Sequence, residues 1–360
     1  MSERSGPGQH SGGIPPDPAS SPMAGNPAPS GRRRDAVTRG VRLVAALAAL
    51  VVAALVVATT VVLTGPPSEQ DLMERAGLIG KRELLIGVKD DQPGISLRNP
   101  DTGVFSGFDI DIALMIAADL DFRPNAVRFV AIESEDRAKM LASTYDGQFV
   151  TVDLVIATYS VTEERERSEG VSFSAPYLST EQSVVTRTEY EGSVDTLQDL
   201  RGQRVCSLST ATSESAAGQA GVDLTSKKRI SECVSDLLNG AVDAVTTDAA
   251  ILAGFVAQHP KRLRHHDVGY DVPESWGVNT GGNEALRDLV DLSLHGSLEN
   301  PRDRRWEDAF DRYLRPQQPV NQPQPIAVDQ QPEARKVEVR RWPWETVAQV
   351  RLEADRAAPS

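Results

Sequence analysis

Cysteine and histidine, the side chains of zinc sites and thiol redox chemistry, are scarce in this chain. Its 360 residues include only two cysteines and five histidines. The cysteines and the scattered histidines form no ligand cluster at the spacing of a zinc site. The sequence therefore predicts no metal site and no cofactor.

Signature motifs of common enzyme classes are also missing. The chain contains no G-x-S-x-G, no H-E-x-x-H, no G-x-x-x-x-G-K-[ST] and no G-x-G-x-x-G after a strand. Close acidic pairs such as Asp109 and Asp111 are common at helix starts, where carboxylates complement the free amides and the helix dipole. These absences favour a protein that performs no bond chemistry.

Acidic residues outnumber basic residues in this chain. The formal net charge is −13, and no basic stripe with interleaved aromatic residues follows the first 42 residues. Surfaces that bind nucleic acid carry such a stripe. We therefore expect no nucleic-acid partner, and the acidity is typical of a soluble surface.

One long apolar segment lies near the N-terminus. Residues 43–63, LVAALAALVVAALVVATTVVL, are 21 uncharged positions, long enough as a helix to cross a hydrocarbon core of about 30 Å. The basic residues of 31–42 precede it, so the positive-inside rule predicts a cytoplasmic N-terminus and an extracellular remainder. A cleaved signal peptide is the alternative, although its apolar region usually spans about 7–15 residues. The Pro, Gly and Ser-rich residues before the segment predict a disordered cytoplasmic tail over 1–42.

The chain after the apolar segment alternates strand and helix patterns. Helical spacing places Phe108, Ile112, Met115, Ile116 and Leu120 on one face, which predicts a core-facing helix. Such alternation predicts α/β layering. The predicted strands are short runs rich in β-branched residues: ELLIGVK, VRFVAI, VDLVIAT, QSVVT, QRVCSL and VDAVTT.

The cysteines, Cys206 and Cys233, lie on the predicted outer side of the membrane. Oxidising conditions there permit a disulfide bond. Two buried free thiols are the alternative that the residues themselves leave open.

A charged turn follows the predicted strand VDLVIAT. Thr162, followed by two glutamates, predicts a helix start, and Arg165 falls in its first turn. Open α/β sheets bind ligands at the carboxyl ends of their strands, and a guanidinium fork suits a carboxylate. A surface ion pair with a neighbouring glutamate is the alternative role for Arg165.

Several ordered segments together resemble a known family. They are residues 84–113, 152–178, 203–215 and 231–254, which include GVKDDQPG, ATYSVTEERERS, CSLSTATSES and AVTTDAAIL. Over about residues 82–315 the chain resembles the bacterial extracytoplasmic solute-binding proteins of family 3, the amino-acid receptors of ABC importers. It is most similar to their actinobacterial glutamate-binding group, whose cysteine pair matches Cys206 and Cys233.

The resemblance implies a two-lobed, periplasmic-binding-protein type II-like α/β fold with two hinge crossings, preceded by one transmembrane helix. The first lobe would comprise residues 71–188 and 272–315, and the second residues 189–271. The crossings would lie near Thr186 to Glu189 and Val268 to Val272. Closure on a ligand would be a hinge motion.

The resemblance also implies roles in ligand binding. Arg165 of the T-x-x-R segment would bind the α-carboxylate of an amino acid. Ser160, the backbone of Thr158, and Asp248 from the second lobe would face the α-ammonium group. Asp248 would also serve as a plain helix N-cap.

Further ligand-binding candidates follow from the same resemblance. Thr212 falls in the second-lobe loop where the family has a Gly-Ser-Thr-like run, but here Thr210 and Ala211 replace the glycine and serine. The backbone of this loop is therefore less open to close approach by a ligand, and one hydroxyl is missing. Lys89, Asp90 and Arg137 are positional candidates for the ligand side chain, and Lys89 or Arg137 would suit a second carboxylate.

The C-terminal 45 residues differ in composition from the rest. Residues 316–331 are Pro and Gln-rich and predict an extended linker. Residues 337–357 would form a short amphipathic helix, or a solvated terminus without stable structure.

The sequence thus predicts a membrane-tethered receptor for a polar amino acid, with glutamate or aspartate preferred and glutamine as a further option. Its partners would be an ABC permease or a membrane-bound sensor. An enzyme on the same scaffold, similar to the cyclohexadienyl dehydratases, is the alternative from another class. A degenerate interaction module that has lost its ligand is the third.

Overall fold

The structure, a computed structural model, describes residues 31–269 and 273–341. Side chains are described from residue 38 onward, apart from residues 62 and 63. The chain divides into one unit that ends at Gly65 and a second that begins at Pro66. The predicted tail residues 1–30 and the C-terminal residues 342–360 lie outside the described part.

The N-terminal unit contains one long helix. Helix α1 spans Gly31–Thr64, and within it Thr38–Val61 is a candidate membrane span of 24 residues with a mean hydropathy of 2.7. The expectation of disorder through residue 42 is therefore wrong for residues 31–42, which are helical. Arginine and alanine are good helix formers, so the basic flank continues the apolar helix.

The second unit alternates strands with helices. Its helices are α2 (Glu69–Arg75), α3 (Phe108–Asp119), α4 (Glu163–Glu166), α5 (Thr212–Ala220), α6 (Ile230–Leu238), α7 (Ala249–Gln258), α8 (Glu284–Glu299) and α9 (Arg305–Tyr313), with 3-10 turns at Pro124–Ala126, Ser134–Asp136, Leu197–Leu200 and Arg315–Val320. Its strands are β1 (Leu84–Val88), β2 (Asp91–Gln92), β3 (Ser96–Arg98), β4 (Phe105–Ser106), β5 (Val127–Ala131), β6 (Leu141–Ser143), β7 (Phe149–Thr151), β8 (Leu154–Val155), β9 (Phe173–Thr180), β10 (Gln182–Arg187), β11 (Arg204–Leu208), β12 (Asp223–Lys227), β13 (Ala244–Asp248), β14 (Leu263–His266) and β15 (Glu274–Asn279).

Two five-stranded sheets organise the second unit. The first has the order β5-β1-β8-β15-β9 and the second the order β12-β11-β13-β10-β14. Strand β1 is parallel to β5 and β8, and β11 is parallel to β12 and β13, so each sheet has a parallel centre. The predicted two-lobed α/β fold is confirmed, and we call the units around these sheets the first lobe and the second lobe.

The chain crosses from the first sheet to the second at Glu181. This residue stands between β9 of the first sheet and β10 of the second. The crossing was predicted later, at Thr186 to Glu189, but Thr186 pairs with Ala244 inside the second sheet. The return crossing lies between β14 and β15, and residues 270–272 of its predicted position are outside the described part.

The core confirms the predicted helix face and the disulfide bond. All five residues of the predicted stripe on α3 are buried, and Phe108 packs edge-to-face on Trp306 of α9. Cys206 of β11 and Cys233 of α6 are bonded and fully buried, so the disulfide bond ties a helix to the second sheet.

The C-terminal segment packs on the folded unit, contrary to the prediction of an extended linker. We call residues 315–341 the C-terminal strap. Its Ile326, Asn321 and Gln324 are buried, so this Pro and Gln-rich stretch has one apolar anchor and amides that find internal partners. Residues 337–341 are not helical, and the remainder of the predicted amphipathic helix lies outside the described part.

Candidate functional site

The first-lobe side of the cleft is built on the loop after β8. Thr158 has a φ of +45°, a left-handed conformation that costs energy for a β-branched residue. Its amide donates to the buried carboxylate of Asp109 at 3.1 Å, and its carbonyl accepts from Arg137 Nη1 at 2.9 Å. Buried partners on both sides of the peptide therefore hold this loop in place.

Asp109 lies beneath the loop and is fully buried. Its carboxylate also accepts a hydrogen bond from the Tyr177 hydroxyl at 3.0 Å. Burial raises the pKa of Asp109 to about 7, although the bonds from Tyr177 and Thr158 act in the opposite direction. A sequence-based prediction treats this residue as a helix-start acid, whereas the structure makes it the support of the cleft loop.

Arg165 lies where the two lobes meet. As predicted, Thr162 caps α4, and its hydroxyl accepts from the Arg165 amide at 3.3 Å. The guanidinium donates to the Ser160 carbonyl at 2.7 Å and to the Thr210 carbonyl of the second lobe at 2.9 Å. It also lies 4.8 Å from the centre of the Tyr159 ring. Arg167 of the same helix makes the surface ion pair with Glu163 instead.

Arg137 supports the same wall from behind. Its side chain is buried and donates to the carbonyls of Ser134, Ala157 and Thr158. Burial, and then the charge of Arg165, lower the pKa of Arg137 to about 10, so the group remains charged at neutral pH. The structure thus brings Arg137, Thr158, Ser160 and Arg165 together.

The second-lobe side of the cleft is formed at the starts of two helices. Thr210 has a φ of +60°, the conformation for which glycine is better suited, and its amide donates to Glu214 at 2.7 Å. Thr212 begins α5, and Asp248 is the N-cap residue of α7. Both predicted second-lobe residues therefore face the first lobe from helix N-termini.

Asp248 is buried, and its carboxylate does not cap α7. It accepts a hydrogen bond from Trp276 Nε1 of the first sheet at 2.5 Å. Burial raises the pKa of Asp248, the nearby Glu274 raises it further, and Trp276 and Arg165 lower it. This carboxylate therefore does not act as the plain helix N-cap that was its alternative role.

Glu274 is a central residue of the cleft that the sequence reasoning missed. Its carboxylate accepts from the hydroxyl of Ser160 at 2.6 Å and from that of Thr212 at 2.7 Å. Because a hydroxyl has one hydrogen, Thr212 in this arrangement has none left for a ligand carboxylate. The local sequence contains one signal for Glu274, which is an acidic residue two positions after the predicted crossing, in the segment ESWG.

Lys89 and Asp90 contact a second set of partners. The Lys89 ammonium is buried, donates to the Ile132 carbonyl at 3.1 Å and lies 3.8 Å from Glu133. Burial lowers the pKa of Lys89. Asp90 forms an ion pair with Arg229 of the second lobe at 2.7 Å, so it joins the lobes in this structure.

Further polar contacts hold the lobes together around the cleft. Glu135 of the first lobe accepts from Ser209 at 2.9 Å and pairs with Lys228 at 3.1 Å. The backbone of Pro93 approaches Gly254 of α7 so closely that a Cβ at that glycine would lie 1.9 Å from the Pro93 carbonyl oxygen. The structure is therefore a closed arrangement of the two lobes.

The cleft carries groups of opposite charge on its two walls. A guanidinium on one wall and a carboxylate on the other suit a molecule with one negative and one positive end. Within residues 31–269 and 273–341, no three His, Cys, Asp or Glu side chains are grouped to hold a metal ion.

Comparisons with known proteins agree with this geometry. The sequence profile of the bacterial extracellular solute-binding proteins, family 3, matches residues 84–315. The chain is 35% identical over 244 residues to the glutamate-binding protein GluB of Corynebacterium efficiens, covering 64% of this chain and 77% of that protein. It is 28% identical over 237 residues to the glutamine-binding protein GlnH of an ABC transporter of Bacillus subtilis, covering 65% and 81%.

A solved structure shows the same architecture. An ancestral arginine-binding protein bound to glutamine superposes with a TM-score of 0.56 and 26% identity, covering 65% of this chain and 98% of that one. The resemblance inferred from the sequence, to the family and to its glutamate-binding group, is confirmed. The chain therefore belongs to the bacterial extracellular solute-binding proteins of family 3.

Proposed function

We propose that this protein is a membrane-tethered extracellular receptor that binds a polar amino acid between its two lobes. Glutamate or aspartate is the preferred ligand, and glutamine is the next candidate. The observation that carries the proposal is Arg165, whose guanidinium touches carbonyls of both lobes at the centre of the cleft. A ligand carboxylate would replace a neutral carbonyl with a charged, bidentate partner.

The opposite end of the ligand is assigned to Asp248. An α-ammonium group beside this carboxylate would offset the cost of burying an acid whose pKa burial and Glu274 raise. The Ser160 hydroxyl donates to Glu274, so its oxygen lone pairs are suited to accept from the ammonium group. The names of the glutamate-binding and glutamine-binding relatives support an amino acid as the ligand class.

The ligand side chain is assigned to the region of Lys89, Asp90 and Arg137. Lys89 and Arg137 are cations held by carbonyl oxygens, which an acidic side chain could replace as partners. Asp90 is paired with Arg229, which limits its repulsion of an acidic ligand. These charges favour glutamate or aspartate over a cationic amino acid.

The membrane tether is assigned to α1. Its apolar span and the preceding basic residues support a cytoplasmic N-terminus and extracellular lobes. The partner would be an ABC permease that accepts the ligand or a membrane-bound sensor that reads closure of the lobes.

The direct test is ligand binding by full-length protein in detergent micelles. Thermal unfolding is measured with each of the twenty amino acids, and calorimetry follows for those that raise the melting temperature. We expect a selective rise with glutamate or aspartate. Arg165→Ala should weaken binding on the order of 100-fold, because the ligand carboxylate would lose its charged partner. Arg167→Ala, in the same helix, is the matched control and should bind as the native protein does.

Two outcomes would contradict the proposal. Unchanged affinity in Arg165→Ala would remove the role given to that residue. No response to any amino acid would favour the degenerate interaction module, for which the Thr210 and Ala211 replacements are the supporting feature.

An enzyme similar to the cyclohexadienyl dehydratases has one specific feature in its favour. Acid-assisted elimination needs a carboxyl group that is protonated near neutral pH, and the pKa of Asp248 is raised in that direction. Incubation with prephenate and arogenate, followed by product analysis, tests this reading. Turnover that is lost in Asp248→Asn would establish it over the receptor.

A further inference from the structure

The C-terminal strap contacts both lobes and the crossing between them. It begins at Arg315, where the match to the family profile ends, so the family profile does not describe it. It meets the second lobe through Asn321, the crossing through Gln324, and the first lobe from Ile326 onward. Any motion of one lobe against the other must therefore strain or break some of these contacts.

The attachment to the second lobe is buried and specific. Asn321 is fully buried, and its Oδ1 lies 2.6 Å from Nδ1 of His265 in β14, while its Nδ2 donates to the Ala253 carbonyl of α7. Nε2 of His265 lies 2.8 Å from the Ser183 hydroxyl of β10. Burial lowers the pKa of His265 to about 4, so at neutral pH the ring is neutral and donates through Nδ1 to the strap.

The attachments at the crossing come next along the strap. The Gln324 amide donates to the carboxylate of Glu181, the residue between the two sheets. The Thr180 hydroxyl donates to the Ile326 carbonyl at 2.8 Å, and the Val328 amide donates to the Ser179 carbonyl at 2.9 Å. The strap thus follows the end of β9 like an added strand.

The remaining attachments belong to the first lobe. Ile326 lies in the hydrophobic core, and Arg335 pairs with the buried Asp291 of α8 at 2.7 Å. Near the end of the strap, Arg340 pairs with Asp71 of α2 at 3.0 Å and its amide donates to the Pro67 carbonyl. These contacts fix the strap on the first lobe. On the second lobe, Asn321 supplies the buried hydrogen bonds, and residues 315–320 pack beside it on α7.

We propose that the C-terminal strap regulates closure of the binding cleft by favouring the closed arrangement in the absence of ligand. This inference rests on the proposed receptor function. Opening would pull the second lobe away from Asn321 and leave the buried His265 and Ala253 groups without these partners, which is costly for buried polar groups. A cavity of about 410 Å³ between the strap, Glu181 and Pro273 leaves the crossing room to bend while the strap stays attached to the first lobe.

Favouring closure has a consequence for ligand affinity. A ligand that contacts both lobes binds the closed arrangement, so its apparent affinity scales with the fraction of protein already closed. Loss of the strap contact to the second lobe should therefore weaken binding without altering any residue that touches the ligand. The expected loss is about tenfold, the scale of a buried hydrogen-bonded contact.

The test measures the distance between the lobes in the full-length protein. Spin labels are placed through Arg123→Cys on the first lobe and Gln219→Cys on the second, both exposed positions, while the native cysteines remain bonded. Asn321→Ala is compared with Asn283→Ala, which removes an asparagine that donates to Ala76 and accepts from Leu286 within the first lobe. Gln324→Ala, at the crossing, is a milder second variant in case Asn321→Ala fails to fold.

Without ligand, we expect a single short distance in the native protein and in Asn283→Ala. In Asn321→Ala and Gln324→Ala the distribution should extend to longer distances, and saturating glutamate should restore the short one. Unchanged distributions in both strap variants would overturn the proposal. The ligand-free distances are measured without any amino acid, so they test the strap independently of the receptor function. A failure of the receptor function would instead appear as no amino-acid binding by the native protein.

Discussion

Each wall of the cleft contains a threonine in a left-handed conformation, but the two walls differ in how firmly their neighbours hold it. Each wall holds a left-handed threonine whose carbonyl accepts from an arginine: Thr158 accepts from Arg137, and Thr210 from Arg165. In the first lobe the Thr158 amide is tied to the buried Asp109, whereas in the second lobe the Thr210 amide bonds to Glu214 at the surface. The first-lobe wall is therefore preorganised, and the second-lobe wall depends more on contacts across the cleft.

The walls also differ in charge. The guanidiniums of Arg137 and Arg165 belong to the first lobe, as does the carboxylate of Glu274, which accepts from two hydroxyls. The second lobe contributes the carboxylate of Asp248. A zwitterionic ligand must touch both walls to satisfy both of its ends. Ligand binding and lobe closure are then linked, because only the closed arrangement offers both contacts.

The largest expected effect among the remaining tests comes from removing the second-lobe charge. Asp248→Asn keeps an acceptor for Trp276 but loses the anion, so we expect amino-acid binding to weaken on the order of 100-fold, as for Arg165→Ala. Asp223→Asn, an exposed second-lobe site, is the control. Equal affinity in native protein and Asp248→Asn, measured by calorimetry, would leave the first-lobe wall as the sole charged determinant.

The same residue predicts how binding depends on pH. Burial and the nearby Glu274 raise the pKa of Asp248, and an ammonium group would stabilise the ionised form. Binding should therefore release protons near neutral pH, and affinity should increase as the pH rises. Calorimetry in two buffers of different ionisation enthalpy counts these protons, and Asp248→Asn should release fewer.

A smaller effect is expected at the support of the first-lobe wall. The folded-state pKa of Asp109 is about 7 against an ordinary value of 3.8, so between these values the folded state binds more protons than the unfolded state. Asp109 therefore lowers stability progressively as the pH rises from about 4 to about 7. Asparagine would accept from the Thr158 amide and donate to the Tyr177 oxygen without carrying a charge.

Asp109→Asn should consequently increase the free energy of unfolding at pH 8 on the order of 2 kcal/mol relative to its effect at pH 4.5. Urea unfolding at the two pH values measures this difference, and Asp101→Asn at an exposed turn should show none. A variant that loses stability equally at both pH values would mean that Asp109 acts as a fixed, ionised anchor of the first-lobe wall.

Local sequence patterns predicted the features that depend on residues close together in the sequence. The buried stripe of α3 follows from helical spacing, and the cap of α4 at Thr162 follows from a hydroxyl before two acids. Glu274 and Asn321 were not predictable in this way, because their partners Ser160 and His265 are distant in the sequence. The crossing at Glu181 was misplaced because the β-branched residues of β10 predict a strand whichever sheet it joins.

The smallest expected effect concerns the strained residue of the second-lobe wall. Thr210→Gly removes a left-handed threonine, a conformation that costs about 1 kcal/mol or more. Glycine also makes the unfolded chain more flexible, which offsets part of this stabilisation. We expect a net increase in the free energy of unfolding of about 0.5 kcal/mol, with the carbonyl still available to Arg165. Thr102→Gly, in an exposed turn without positive φ, carries the flexibility cost, also loses the exposed hydrogen bond from the Val104 amide, and should lower stability. If chemical unfolding shows equal losses in the two variants, the second-lobe wall stores no strain, and the contrast with the first lobe rests on charge and burial alone.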